Sequence, residues 1–203
     1  MSEAAFPLPD DDSYVDDRDV IEVAYLHGLH IREFLGKTIL NLGSGSGNLQ
    51  ADLDGHGVRA NVISVDFSAA ALQEAALRPS ANRFIAADVS ALPLPDESVD
   101  LAIATYSLPL WARTPAEMAS FFSECRRVVK VGGMLAIFPL FVNAEQDYSH
   151  PDSSENWHAL DFSMRVEIDE LSRSCDWQNL RRSKQALLYT RTANTRRHRH
   201  PEI

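Results

Sequence analysis

Three alternate glycines and two strand-ending aspartates are the residues of this chain best placed to do chemistry. The glycines fall in Ile39-Leu-Asn-Leu-Gly43-Ser-Gly45-Ser-Gly47-Asn-Leu49, where an apolar run breaks into a turn and a short helix is expected to follow. Gly43 can take positive φ, and Gly45 and Gly47 lack the Cβ that would keep a ligand off the backbone. The free N–H groups of the helix start favour negative charge. Asp66 closes the apolar run of residues 60–66, and Asp88 closes Arg83-Phe-Ile-Ala-Ala-Asp88. A carboxylate at such a place can accept protons from both hydroxyls of a ribose, so the set reads as a nucleotide-like binding site.

The spacing narrows the ligand. In the dinucleotide fingerprint the third glycine follows the second by three residues; here Gly47 follows Gly45 by two, which argues against a nicotinamide cofactor. No G-x-x-x-x-G-K-[ST] sequence occurs, so the loop has no lysine for terminal phosphates.

The elements that must carry these residues follow from periodicity. Strands are expected at the glycine turn's apolar lead-in, at 60–66, 83–88, 99–104 and 134–138, apolar enough to be covered on both faces. Helices are expected over 16–35 as one amphipathic piece ending at Gly36, from the N-cap Ser68 to before Pro79, and from Thr114-Pro-Ala-Glu117 onward. The last of these presents Met118, Phe121, Phe122, Cys125, Val128 and Val129 to the core. Residues 142–165 read as irregular, 167–174 as a short helix, and 177–184 and 186–192 as an antiparallel strand pair at the sheet edge.

In four blocks the chain resembles the class I S-adenosylmethionine-dependent methyltransferases, most closely the small, type 11-like enzymes acting on metabolites. The blocks are Leu40-Asn-Leu-Gly-Ser-Gly-Ser-Gly47, Val65-Asp-Phe-Ser68, Asp88-Val-Ser-Ala-Leu-Pro-Leu-Pro-Asp-Glu-Ser-Val-Asp100 and Glu124-Cys-Arg-Arg-Val-Val-Lys-Val-Gly-Gly-Met-Leu135, within about Thr38 to Phe141. The resemblance implies an α/β fold, a doubly wound Rossmann-like sheet of seven strands, mostly parallel with an antiparallel edge strand, in the order 3-2-1-4-5-7-6. It implies that Gly43, Ser44, Gly45 and Gly47 wrap the methionine part of S-adenosylmethionine, that Asp66 takes the ribose hydroxyls, and that Asp88 and Val89 meet the adenine. Phe67 would lie against the adenine face, with Thr105 and Tyr106 near the methyl group. One departure is Asn41, where the family usually has an acid; it keeps an acceptor but loses the charge that attracts the cofactor's ammonium group.

Methyl transfer is an in-line displacement in which the cofactor carries the reactive group, so no catalytic residue need show itself. Tyr106 either shapes the methyl site or packs in its loop, and Trp111 belongs to core or lid. Lid candidates are Tyr14, His27, His30, Tyr148, His150, Trp157 and His158. A histidine could deprotonate an acceptor near neutral pH, but His27 falls on an apolar helix face, where a hydrogen-bonded core histidine is the simpler reading.

A length of 203 residues fits one methyltransferase domain over 16–192, between an acidic segment at 1–15 and a basic tail at 193–203. The expected acceptor is a small molecule, since the loop after Ala104 lacks the Asp/Asn-Pro-Pro-Tyr pattern of enzymes that methylate base amines. The net charge of −10 speaks against nucleic acid, although residues 181–200 hold seven basic side chains and no acid. That stretch would dock RNA or protein in one alternative; in another, the chain binds the cofactor without turnover as a partner subunit. Cys125 and Cys175 have no disulfide or metal-ligand spacing, and no apolar run is long enough for a membrane span, so a metal-free cytoplasmic protein is expected.

Overall fold

The computed structural model describes residues 20–26, 28–45, 47–77, 83–105, 115–138, 170, 173–182 and 187–193. Strands β1 (Thr38–Leu42), β2 (Asn61–Asp66), β3 (Arg83–Ala86), β4 (Val99–Thr105), β5 (Val129–Phe138), β6 (Trp177–Arg182) and β7 (Leu187–Arg191) form one sheet in the order β3-β2-β1-β4-β5-β7-β6. The first five pair in parallel, whereas β7 runs antiparallel to both β5 and β6. This is the doubly wound topology and strand order expected from the sequence. The order in which strands are added to the sheet reverses at β1 and β4, so the strand ends there open the crevice in which such folds bind ligands.

Alternate residues of the strands feed two cores. Leu40, Leu42, Ile63, Val65, Ala102, Ala104, Leu135 and Ile137 pack with Met118, Phe121, Phe122, Cys125 and Val128 of helix α4 (Pro115–Val128). On the opposite face, Ile39, Val62, Leu101, Ile103, Ala136 and Phe138 pack with α1 (Val20–Leu26) and α2 (Asn48–Gly55). Two covered faces explain why these strands read as almost unbroken apolar runs.

Three expected boundaries differ. Strand β3 ends at Ala86, so Asp88 stands two residues beyond the strand instead of closing it. The helix expected over 16–35 is α1 followed by a separate 3-10 turn, Ile31–Glu33. Gly28, at φ +92°, ends α1: its N–H donates to Tyr25 O and that of Leu29 to Ala24 O, both at 2.9 Å. Ala24 and Phe34 are buried as expected, while Ile31 and Leu35 face solvent. Strand β5 starts at Val129 rather than Met134, because Gly132, at φ +79°, and Gly133 form an irregularity within the strand instead of a break before it. Helix α3 (Ala69–Ala75) starts as expected, with Ser68 Oγ accepting from Ala71 N at 3.3 Å. The irregular segment and the short helix expected over 142–165 and 167–174 lie wholly or mostly outside the described residues.

The amino edge of the sheet is tied by charge. Asp100 accepts from Thr38 N at 2.9 Å and from Lys130 Nζ at 2.7 Å. Arg191 is buried, donates to Val129 O and pairs with Glu97 at 2.9 Å, so it is no part of an exposed basic surface. Among the described residues no helix is long and apolar enough to cross a membrane.

Candidate functional site

At the carboxyl edge, β1 ends in the glycine turn. The N–H groups of Gly43 and Ser44 both donate to Val65 O, at 2.8 and 3.0 Å, which folds the turn onto the end of β2. Asp66, the last residue of β2, accepts from Gly45 N through Oδ2 at 2.8 Å and from Ser68 N through Oδ1 at 2.9 Å. One buried carboxylate thus fixes the glycine turn and the approach to α3. Each of its oxygens keeps a further lone-pair direction for a ligand hydroxyl. The holding role was not legible in the sequence, which offered only the ligand role.

The glycines divide their work differently from the expectation. A Cβ on Gly45, at φ +51°, would meet no described residue within 4 Å, so among these residues the space above its backbone is open. A Cβ on Gly47, at φ +76°, would meet Phe84 Cε1 at 3.0 Å and Ala75 Cβ at 3.3 Å. Gly47 therefore lacks a side chain to let the start of α2 pack on β3 and α3, not to clear a ligand. Gly43 has the positive φ, +66°, that its place in the turn requires.

Among the described residues two hydroxyls at this edge are buried without a hydrogen-bond partner: Ser44 Oγ in the turn and Thr105 Oγ1 at the end of β4. Pairing of Leu42 with Ala104 sets Thr105 one residue beyond the last β1 pair, beside the start of the turn. A buried hydroxyl left unpaired costs about 1–3 kcal/mol, so such atoms collect where a ligand supplies the missing bond. Asn41 is buried, 6% exposed, and pairs in register with Ser64 on one side and Ile103 on the other. Ser64 Oγ is also buried and unpartnered. Its only signal in the sequence was a serine inside an apolar run.

Next to Asp66 the edge continues through Ala87, whose N–H donates to Asp66 O at 3.0 Å. Asp88 is exposed; its Oδ1 takes Ser90 N at 2.8 Å and Ser90 Oγ at 2.7 Å, which leaves Oδ2 to accept from a ligand. Val89 is half-buried, and the ring of Phe67 is 60% exposed just past Asp66. His30 is exposed in the segment before β1, its ring edge-on to Tyr25 at 5.5 Å. Tyr106, Tyr14, His27, Trp111, Tyr148, His150, Trp157 and His158 lie outside the described residues. Burial pushes the thiols of Cys125 and Cys175 up, so both stay protonated and neither is a ready nucleophile.

The family model described as a methyltransferase domain matches residues 40–137, a span that contains the glycine turn, Asp66 and Asp88. Over these residues the chain carries a methyltransferase domain of the class I S-adenosylmethionine-dependent type. It is 33% identical over 102 residues to a demethylmenaquinone methyltransferase of Beutenbergia cavernae, covering 50% of this chain and 40% of that one. It is 30% identical over 153 residues to a malonyl-[acyl-carrier protein] O-methyltransferase of Marinomonas, covering 74% of this chain and 53% of the relative. The chain thus spans about half the length of these curated relatives. The solved structure of a methyltransferase from Methanosarcina mazei shares the fold, with a TM-score of 0.60 at 18% identity over 80% of this chain and 96% of that one.

The residues at this edge suit the family's cofactor. Open space over Gly45, the two unpartnered hydroxyls of Ser44 and Thr105, and the free lone pairs of Asp66 and Asp88 offer the donors and acceptors that an amino acid joined to a nucleoside needs.

Proposed function

We propose that this protein transfers the methyl group of S-adenosylmethionine to an oxygen, nitrogen or carbon nucleophile of a small molecule. The observation that carries the reading is the clustering, at one sheet edge, of the Ser44 and Thr105 hydroxyls with the open face of Gly45. The cofactor supplies an activated methyl on a sulfonium. What the chain contributes is alignment and dryness. Asp66 receives the ribose hydroxyls with the lone pairs that Gly45 and Ser68 leave free, so the sugar binds to the group that already fixes the turn. Asp88 Oδ2 accepts the adenine amino group, Val89 N–H faces a ring nitrogen, and Phe67 covers the base. Ser44 and Gly45 hold the methionine part, while Asn41 offers the ammonium group an uncharged acceptor. Thr105, the last residue of β4, would face the methyl group, with Tyr106 next in the sequence.

Relatives named for demethylmenaquinone and for malonyl-[acyl-carrier protein] support an acceptor from small-molecule metabolism, free or carried. The burial of Arg191 against Val129 and Glu97 weakens the RNA-docking alternative. The test is transfer of labelled methyl from S-adenosylmethionine to a panel of quinols, phenols, carboxylic acids, thioesters and amines, with total RNA and protein in parallel. Label in a small molecule is expected. Label only in RNA or protein would overturn the choice of acceptor.

A further inference from the structure

Helix α4 grips the loop between β3 and β4 through one arginine. Arg127 Nε donates to Glu124 Oε2 at 3.0 Å, and Nη2 donates to Glu124 Oε1 at 2.6 Å and to Leu92 O at 2.8 Å. Its Nη1 donates to Leu94 O at 2.7 Å and to Asp96 Oδ1 at 2.8 Å. All the N–H directions of the guanidinium are therefore used, two on a carboxylate and three on the loop. Glu124 returns to the same loop, for its Oε1 accepts from Leu92 N at 2.7 Å. Leu92 is thus held at both its N–H and its C=O by the pair, and its side chain is buried in the α4 core.

From Leu92 back to Asp88 the chain has little freedom. Ala91 N donates to Asp88 O at 3.0 Å, and Ser90 caps the Asp88 carboxylate. Asp88 itself is exposed, so its direction is set by this short turn and by what anchors the turn's far end. The anchor is the Glu124–Arg127 pair. Lysine could not replace the arginine, because a point charge cannot span two carbonyls and two carboxylates in a planar fork.

Building on the cofactor reading above, we infer that Arg127 and Glu124 are positioning residues for adenine selection: they hold the 88–96 loop so that Asp88 Oδ2 and Val89 N–H face the base edge. Neither touches the ligand. Loosening the pair should relax the choice of base more than it weakens the fold. Hypoxanthine is the discriminating probe, since it presents a carbonyl where adenine has its amino group and an N–H where adenine has a ring acceptor. Both changes set like against like at Asp88 and Val89.

The experiment measures, by calorimetry on the full chain, the affinity ratio of S-adenosylhomocysteine to S-inosylhomocysteine. Wild-type protein should prefer adenine by about tenfold or more. Arg127→Met should reduce the preference to below about threefold, with Arg127→Lys and Glu124→Gln between, the latter because its amide oxygen still accepts from Leu92 N while its NH2 faces an Arg127 N–H. Thermal unfolding is followed in each variant; if Arg127→Met does not fold, Glu124→Ala takes its place. Folded Arg127→Met or Glu124→Ala protein that keeps the full preference overturns the inference and leaves the cofactor reading intact. Wild-type protein that binds neither compound, or both equally, overturns the adenine role of Asp88 and the inference with it.

Discussion

The two edges of the sheet differ in how their polar groups are spent. At the amino edge the charges meet partners inside the protein: Asp100 with Lys130 and Thr38 N, Arg191 with Glu97 and Val129 O. At the carboxyl edge, among the described residues, Ser44 and Thr105 bury hydroxyls that meet nothing, and Gly45 opens onto empty space. Both edges contain glycines, yet what surrounds them differs. A Cβ on Gly133 would strike Val129, Asp100 and Lys130, whereas a Cβ on Gly45 would meet no described residue within 4 Å. The amino edge too leaves one buried atom, Arg191 Nε, without a partner, so it is the pair of unpartnered hydroxyls beside an open glycine, more than any single unpaired atom, that marks the binding edge.

Substitutions should separate the edges. The largest effect is expected for Gly133→Ala, whose Cβ would fall 2.7 Å from Val129 Cγ1, 2.8 Å from Asp100 O and 2.9 Å from Lys130 O. Overpacking against backbone should lower stability by roughly 3 kcal/mol, read as a fall in the urea midpoint. At the other edge, Gly45→Val should lower S-adenosylhomocysteine affinity about 100-fold or more, with a stability loss of only about 1–2 kcal/mol from the positive φ. A calorimetric affinity like that of wild type would remove the turn from the site.

Asp66→Ala should weaken the same binding by about 2 kcal/mol, roughly 30-fold, and also lower stability, since Gly45 N and Ser68 N lose their acceptor. A change in the urea midpoint alone would make Asp66 a purely structural residue and blur the contrast between the edges.

A pH effect belongs to the partnered side of the comparison. The hydrogen bonds of Arg127 hold Glu124 below its ordinary value of 4.5, against the opposing pull of burial and with help from Leu92 N–H. A depressed carboxylate stabilises the fold fully above the unfolded value, and the contribution is lost as pH falls through the folded one. Urea midpoints should therefore fall less steeply in Glu124→Gln than in wild type between about pH 5 and about pH 3. The smallest effect is expected for Thr105→Val. Removal of an unpaired buried hydroxyl should leave stability unchanged or raise it by up to about 1 kcal/mol, while ligand affinity falls about fivefold. Loss of stability there would mean that Thr105 serves the fold.

Much of this architecture was legible because the strands are covered on both faces and carry their apolar runs openly. Ser68 announced α3, and the apolar spacing from Met118 to Val128 announced α4, although Val129, expected on the same helix face, begins β5 instead. The errors have local causes. Apolar spacing continued across Gly28, so α1 and the 3-10 turn read as one helix although the glycine reverses the chain there. The strand expected only from Met134 extends back through Gly132 and Gly133 because β4 pairs with Val129 as well as with Met134. Within the site, residue types showed where Gly43, Asp66 and Asp88 would stand, because strand ends converge on one edge. They did not show that Gly47 answers to Phe84, nor that Glu124 and Arg127 reach a loop about 30 residues away, since tertiary packing decides both. A Glu and an Arg three apart on a helix read equally well as a surface pair.

The central claim is that the carboxyl edge is an S-adenosylmethionine site, and its most direct test is a calorimetric titration of the full chain with S-adenosylmethionine and with S-adenosylhomocysteine. Saturable one-to-one binding of both at about micromolar strength is the expected result. Absence of heat for both, from protein shown to be folded, would contradict the claim and leave the buried hydroxyls of Ser44 and Thr105 without the ligand assigned to them here.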